Sequence, residues 1–409
     1  MALNLLSFAS FIKSIGGVAL AIVILLAMVT IHEFGHYIAG RILGFKINEF
    51  AVGFGPAIFK KRSKKTGEVF ALRVIPLGGY CAFDGEDEEE TPTEKEEEPF
   101  EDFVPQEENE GGMVALNEKE EEYPQPKGAR FNDQPPWKRI IVLVAGATMN
   151  YLLALVLLLI MVASFGVPKC LMMPVEYKND KTMTVPYAAW EDESLSGRDV
   201  LLRMDGEKIS MITDIVDVLR DKKAGETLTA QVLRNKDGEW LKKTVTVYLQ
   251  ADGVFADMSD GDAVRSEIES CIGYDVYTTT LKSGFWDTIG GAFAYSWDMA
   301  TAVLKTLGQL LTGQLGLNAV GGPVTTIGAI SNATGSWFSF LYIASFIGVN
   351  LAVFNLLPIP ALDGSKVIFC LIEWIRKKPV NRKVEAMIHF IGIIFLFGFA
   401  ILVDLLQIF

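Results

Sequence analysis

Histidine is nearly absent from this chain: three occur in 409 residues, and two of them, His32 and His36, stand four residues apart. Cysteine is scarce too, at four, and no two form a CxxC pair, which excludes a cysteine-built zinc site. Over long stretches the chain also lacks charge. Runs at 15–38, 140–167, 338–375 and 388–406 stay apolar for the roughly 20 helical residues that cross a hydrocarbon core of about 30 Å. They lack the period-two alternation of barrel strands, and in lipid only helices and closed barrels satisfy their backbone. Four transmembrane helices are expected, the third interrupted by prolines. The first is too long for a cleaved leader and ends in a charged, histidine-bearing motif rather than a small-residue cleavage site.

The net charge of -13 belongs to one segment. Nineteen acidic residues and two lysines lie between Asp84 and Glu122, so that stretch alone carries more negative charge than the whole chain. Residues 84–127 read as an acidic low-complexity insert, solvated because like charges repel and little can be buried. Its place beside the candidate site leaves a gating or filtering role open. Elsewhere, Lys60, Lys61, Arg62, Lys64 and Lys65 follow the first span, and Arg376, Lys377, Lys378, Arg382 and Lys383 separate the third and fourth. Basic loops stay cytoplasmic, and four spans put both on one side. Residues 168–337 and both termini then face outward.

Within 168–252, the runs KTMTVPY, DVLLRMDG, LTAQVLR and KKTVTVYL predict a small, mostly β domain, with one amphipathic helix in ITDIVDVLRDK. Residues 253–337 read as a linker and an amphipathic helix over 286–313 carrying Trp286, Phe293, Trp297 and Leu304. Tryptophans favour the membrane interface, so this helix either lies along the outer surface or packs on the β domain. Cys170 and Cys271 bracket the domain on the side where disulfides persist, which leaves a bridge between them open.

The chemistry concentrates in His32-Glu33-Phe34-Gly35-His36. On a helix, His32 and His36 project from one face and reach a single metal, with Glu33 beside them to take a proton from metal-bound water. HExxH arises by chance in soluble proteins, but here it takes two of the chain's three histidines. Ionisable groups in an apolar span cost on the order of 2–3 kcal/mol each unless paired or ligated, which weighs against a merely structural cluster.

A catalytic zinc takes three protein ligands and keeps one position open. The third candidate is Asp363, an ionisable group in the third apolar run that follows Pro358 and Pro360. Prolines break the helix, and freed backbone groups are tolerated at membrane depth only against protein or water, so the break marks a cavity. A helix N-cap is the plainer role for Asp363, and it is compatible with ligation.

These segments, HEFGH, VGFGP (52–56), PLGGY (76–80), AGATMN (145–150) and NLLPIPALDG (355–364), resemble in order and spacing the site-2 protease family of intramembrane zinc metalloproteases, peptidase M50, most closely the bacterial RseP type. The resemblance covers both membrane halves. It implies a zinc-dependent intramembrane endopeptidase that cuts anchored proteins near their cytoplasmic end, such as anti-sigma factors or remnant signal peptides. Such substrates are commonly trimmed first by an upstream site-1 protease. It implies Zn2+ on His32, His36 and Asp363, Glu33 as the base, and Asn355 in contact with substrate backbone or the developing oxyanion. Residues 53–80 would form a small sheet dipping towards the site, whose edge pairs with unwound substrate.

The chain departs from the family in three places. Ala147 stands where proline is usual, and Arg198 separates Gly197 from Asp199 in the PDZ-like segment. The acidic insert is long. The fold class expected is therefore membrane α-helical, with four transmembrane helices, a small cytoplasm-side β-sheet and an extracytoplasmic PDZ-like α+β domain. The β domain reads either as a peptide-binding module or as a spacer that excludes uncut substrates. A bacterial inner-membrane location, single-span protein substrates and the lipid bilayer as partners follow, and nucleic acid has no part. Two other classes remain open. A metal-dependent transporter would need internal repeats, which are not seen, and would leave Glu33 idle; an inactive scaffold is distinguished only by turnover.

Overall fold

The computed structural model describes residues 2–86, 123–174, 199–236, 239–255, 261–282, 284–317, 320–333 and 335–408. Most of the acidic insert, the strand expected in KTMTVPY and the Gly197–Arg198 step lie outside these residues. The chain begins with helix α1 (Ala2–Leu43), strands β1 (Ile47–Arg62) and β2 (Val69–Phe83) and helix α2 (Pro136–Phe165). Strands β3 (Val167–Pro174), β4 (Val200–Met204) and β5 (Glu207–Lys208) follow, then helix α3 (Ile212–Leu219) and strands β6 (Thr227–Lys236) and β7 (Glu239–Tyr248). Helix α4 (Gly261–Ile272), strand β8 (Tyr274–Leu281) and helices α5 (Phe285–Leu311), α6 (Pro323–Ala333), α7 (Trp337–Leu356), α8 (Asp363–Arg376) and α9 (Arg382–Ile408) complete it.

Among the described residues, four helices are long and apolar enough to cross a membrane: Gly16–Leu43, Pro136–Phe165, Trp337–Leu356 and Arg382–Leu406. The third span is shorter than expected. Pro358 disfavours helix at Leu357, so α7 stops at Leu356, and the rest of the apolar run becomes the separate helix α8. Gly364 explains how α8 begins so close by. A Cβ there would collide with the carbonyl groups of Leu356 and Leu357, so only glycine lets the new helix abut the end of the old one.

The contacts divide the chain into two units. One comprises residues 25–149 and 355–394. Its sheet contains only β1 and β2, yet it is four strands wide, because each strand folds back. Residues 47–52 of β1 pair with 69–72 of β2 on one side and with 79–83 on the other, while 57–62 pair with 69–73. Gly53, Gly55 and Gly78 at positive φ make the bends. Residues 79–83 are left as an edge. Tyr37, Phe45, Ile47, Phe83, Phe131, Val142 and Cys370 form the core that ties this sheet to α1, α2 and α8.

The other unit comprises residues 1–24, 150–354 and 395–409. Its sheet runs β7-β6-β4-β3-β8, with β5 paired to β4. The domain boundary expected at residue 252 therefore moves, because β8 pairs along all of β3 and α4 supplies Val264, Ile268 and Cys271 to the same core. Cys170 and Cys271 are both buried there as free thiols. Helix α5 packs on the β domain, one of the two placements expected of it. Its Ala292, Tyr295 and Met299 pack with α2 and α7, and Asp298 and Lys305 reach Lys208 and Asp217 of the β domain at 2.7 Å each. Trp286, Phe293, Trp297, Leu304 and Leu311 remain exposed along one stripe.

Candidate metal centre

Three of the four expected reactive groups share the first unit's interior with a fixed geometry. The i, i+4 spacing on α1 brings His32 Nε2 and His36 Nε2 to 3.1 Å. Asp363, the first residue of α8, places Oδ2 3.0 Å from His32 Nε2 and 3.3 Å from His36 Nε2. Both histidines are buried. These three are the group that could hold a metal ion among the described residues.

The donor chemistry fits a cation. His36 Nδ1–H donates to the Val142 carbonyl at 2.8 Å, which leaves its Nε2 as a lone pair. Asp363 Oδ2 is buried without a hydrogen-bond partner, although two ring nitrogens face it. Lone pairs so close repel unless a positive charge lies among them. Tetrahedral zinc with bonds of about 2.0–2.1 Å needs donors about 3.3 Å apart, close to the three separations found. The residues present therefore fit zinc.

Further residues hold this arrangement. Gly146 of α2 faces the imidazoles, and a Cβ there would strike His36 Nε2 and His32 Cε1. Glu33 lies beside the sheet edge: its carboxylate is hydrogen-bonded by the Cys81 backbone, and a Cβ on Gly79 would stand 3.4 Å from Glu33 Cγ. Asn355 approaches from behind, with Nδ2 3.4 Å from His32 Nδ1. An amide turned to present its oxygen there would take the Nδ1 proton and leave Nε2 free for a metal.

The third histidine carried no expectation, and it acts on the loop before Asp363. Ala361 sits at φ 81°, a left-handed conformation costly for a residue with a Cβ. Its N–H donates to His389 Nδ1 of α9 at 3.2 Å. Gly392, one turn further along α9, lets Pro360 press against the helix backbone. The signal available in the sequence was the rarity of histidine itself.

The profile of peptidase family M50 matches residues 20–399. The chain is 29% identical over 423 residues to the "Regulator of sigma-W protease RasP" of Bacillus subtilis, covering 92% of this chain and 94% of that one. It is 28% identical to a putative zinc metalloprotease of Fusobacterium nucleatum, over 94% of this chain and 96% of the relative. A putative zinc metalloprotease of Clostridium perfringens is also 28% identical, over 93% and 94%.

Proposed function

Because the chain belongs to peptidase family M50, and is a zinc metalloendopeptidase and a multi-pass membrane protein, we propose that it cuts anchored proteins within or at the edge of the bilayer. In this reading His32, His36 and Asp363 are the zinc ligands and Glu33 is the general base. The observation that carries it is the convergence of three lone-pair donors, from two distant segments, at the separations a tetrahedral ion requires.

Zinc bound there supplies an acidified water and a Lewis acid for the peptide carbonyl. Glu33 takes the proton from the attacking water and returns it to the leaving amine, and the Cys81 backbone keeps its carboxylate aimed. His36 is locked by Val142, and His32 is oriented by Asn355, whose expected contact with substrate backbone we propose alongside that role. A peptide bond inside a helix is shielded by its own hydrogen bonds, so the substrate must unwind first. Residues 79–83 form an edge strand beside Glu33, and an unwound substrate can pair there.

By charge bias the basic loops face the cytoplasm, so the site opens towards the cytoplasmic side of a bacterial inner membrane and the β domain is extracytoplasmic. We read that domain as PDZ-like. One relative's name couples it to sigma-W regulation, which favours single-span anti-sigma factors, pre-cut by another protease, as substrates here; remnant signal peptides fit the same site.

Purified Glu33→Gln is expected to keep its zinc and lose cleavage of a tagged single-span substrate by at least ~100-fold. Turnover near wild type would remove Glu33 as the base, and loss of zinc would make it a ligand.

A further inference from the structure

A cavity of about 380 Å³ adjoins the metal centre, lined by Glu33, His36 and Asp363 at one part and by Lys366 and Glu86 at another. Lys366 Nζ donates to Glu86 Oε1 at 2.7 Å; the glutamate is largely withdrawn from water and the lysine is partly exposed. The mechanism above uses neither residue.

Lys366 stands in the first turn of α8, where the free N–H groups already carry partial positive charge. A lysine there works against the helix dipole, and a local rule broken beside a reactive centre points to function. Lysine and helix end together make a spot of positive potential. Among the described residues lining the cavity, Lys366 is the one side chain with a fixed positive charge, facing three carboxylates.

The two partners differ in how easily each can be displaced. Lys366 is carried by a helix whose start is wedged against Leu356 and Leu357. Glu86 follows the last residues of β2, and the Arg130 side chain, paired through Nε with Asp84 at 3.7 Å, lies against the neighbouring Gly85. A carboxylate entering the cavity can therefore take Lys366 while Glu86, on the chain just past the strand, turns to share the Arg130 guanidinium with Asp84. An entering ammonium group would have to draw Glu86 away and leave Lys366 against the helix end.

The geometry points to Lys366 as a specificity-determining residue that recognises an acidic side chain of the substrate close to the cut bond, with Glu86 holding the subsite closed until then. This rests on the assignment of Glu33 and the metal centre as the catalytic site. Residues three apart on a helix have Cβ atoms about 5–6 Å apart, and an extended chain advances about 3.3 Å per residue. The acidic side chain therefore falls within about two residues of the scissile bond.

The test uses the full chain in proteoliposomes with a single-span substrate whose cut is mapped by mass spectrometry. Asp, Ala and Lys are placed in turn at three positions on each side of the cut. Wild type is expected to favour Asp over Lys at one position within two residues by about tenfold in kcat/KM. Lys366→Glu should reverse that preference, and Glu86→Gln should sharpen it, both with full zinc content. Should Lys366→Glu fold poorly, the exchange Lys366→Glu with Glu86→Lys restores the ion pair and should favour Lys. An unchanged preference in zinc-loaded Lys366→Glu, or a wild type that favours Lys, overturns the assignment. If zinc-loaded wild type cuts nothing while the metal is bound, it is the proposed function that fails.

Discussion

Asp199 in the β domain and Asp363 at the candidate metal centre are both carboxylates set inside protein, but their valences are spent differently. Asp199 receives two parallel bonds from Arg234, Nε to Oδ1 at 2.9 Å and Nη2 to Oδ2 at 2.7 Å, and both side chains are almost fully buried. Fork meets fork, and the charges cancel where they lie. Asp363 Oδ2 instead faces the Nε2 atoms of two imidazoles, one of which, His36, has committed its proton through Nδ1 to Val142. The first arrangement balances its charges within the protein. The second becomes favourable only when a cation joins it. Burial and charge alone do not separate a structural aspartate from a ligand; the protons of its neighbours do.

The sharpest way to break this comparison is to delete each carboxylate. Asp363→Ala is expected to reduce bound zinc to background and abolish cleavage while the β domain keeps its thermal transition. Zinc retained in that variant would remove Asp363 from the ligand set. Asp199→Ala should keep its zinc but destabilise the β domain by about 3–5 kcal/mol, since Arg234 loses its carboxylate inside the core. Replacing both partners, Asp199→Leu with Arg234→Met, should restore most of that stability in urea unfolding, because no charge is then stranded. No such replacement can rescue Asp363 if its role is ligation.

The same contrast explains what could be read from the sequence. His32 and His36 were legible because helical spacing converts sequence distance directly into geometry. Asp363 was legible because prolines 358 and 360 announce a break where lipid would not tolerate one. Gly146 was not. It lies in a recognised segment, AGATMN, but its importance is the absence of a Cβ against imidazoles from another helix, a tertiary fact. The fold-back of β1 and β2 was hidden likewise: two long strands with interior glycines do not reveal that 79–83 return beside 47–52. In the β domain, β8 escaped because α4 intervenes before it, and only pairing with β3 shows that it belongs. The Asp199–Arg234 pair joins residues far apart in sequence, and no local pattern announces it.

His389 offers a smaller effect that sharpens the comparison on the metal side. It holds Ala361 in its left-handed turn two residues before Asp363. Groups that hydrogen-bond metal ligands directly are typically worth 10–100-fold in affinity, and His389 stands one step further out, so the low end applies. His389→Ala is expected to weaken zinc by about tenfold in competition with a fluorescent chelator. His389→Asn, whose amide oxygen can accept the same N–H, should recover much of the loss. A merely structural role for the ring would leave zinc affinity unmoved in both variants while lowering stability in both.

The smallest effect expected is no effect at all, and it tests whether the β domain stands on its own contacts. Burial pushes the Cys170 thiol up to about 12, and burial also raises that of Cys271, so neither presents thiolate at pH 8. A raised thiol pKa adds stability that is fully present below its unfolded value near 9 and is lost as pH climbs towards 12. Iodoacetamide at pH 8 should therefore leave both cysteines unlabelled in the native protein. Stripping zinc with a chelator should change nothing, because the core around them, from Met172 and Leu201 to Ile268 and Val276, contains no group from the metal centre. Denaturant without reductant should then expose all four thiols of the chain, Cys170 and Cys271 among them, as expected of unbridged cysteines. Labelling of Cys170 on zinc removal alone would mean that the carboxylate left without its cation destabilises more than its own surroundings, and that the domain's satisfied ion pair does not suffice to hold it.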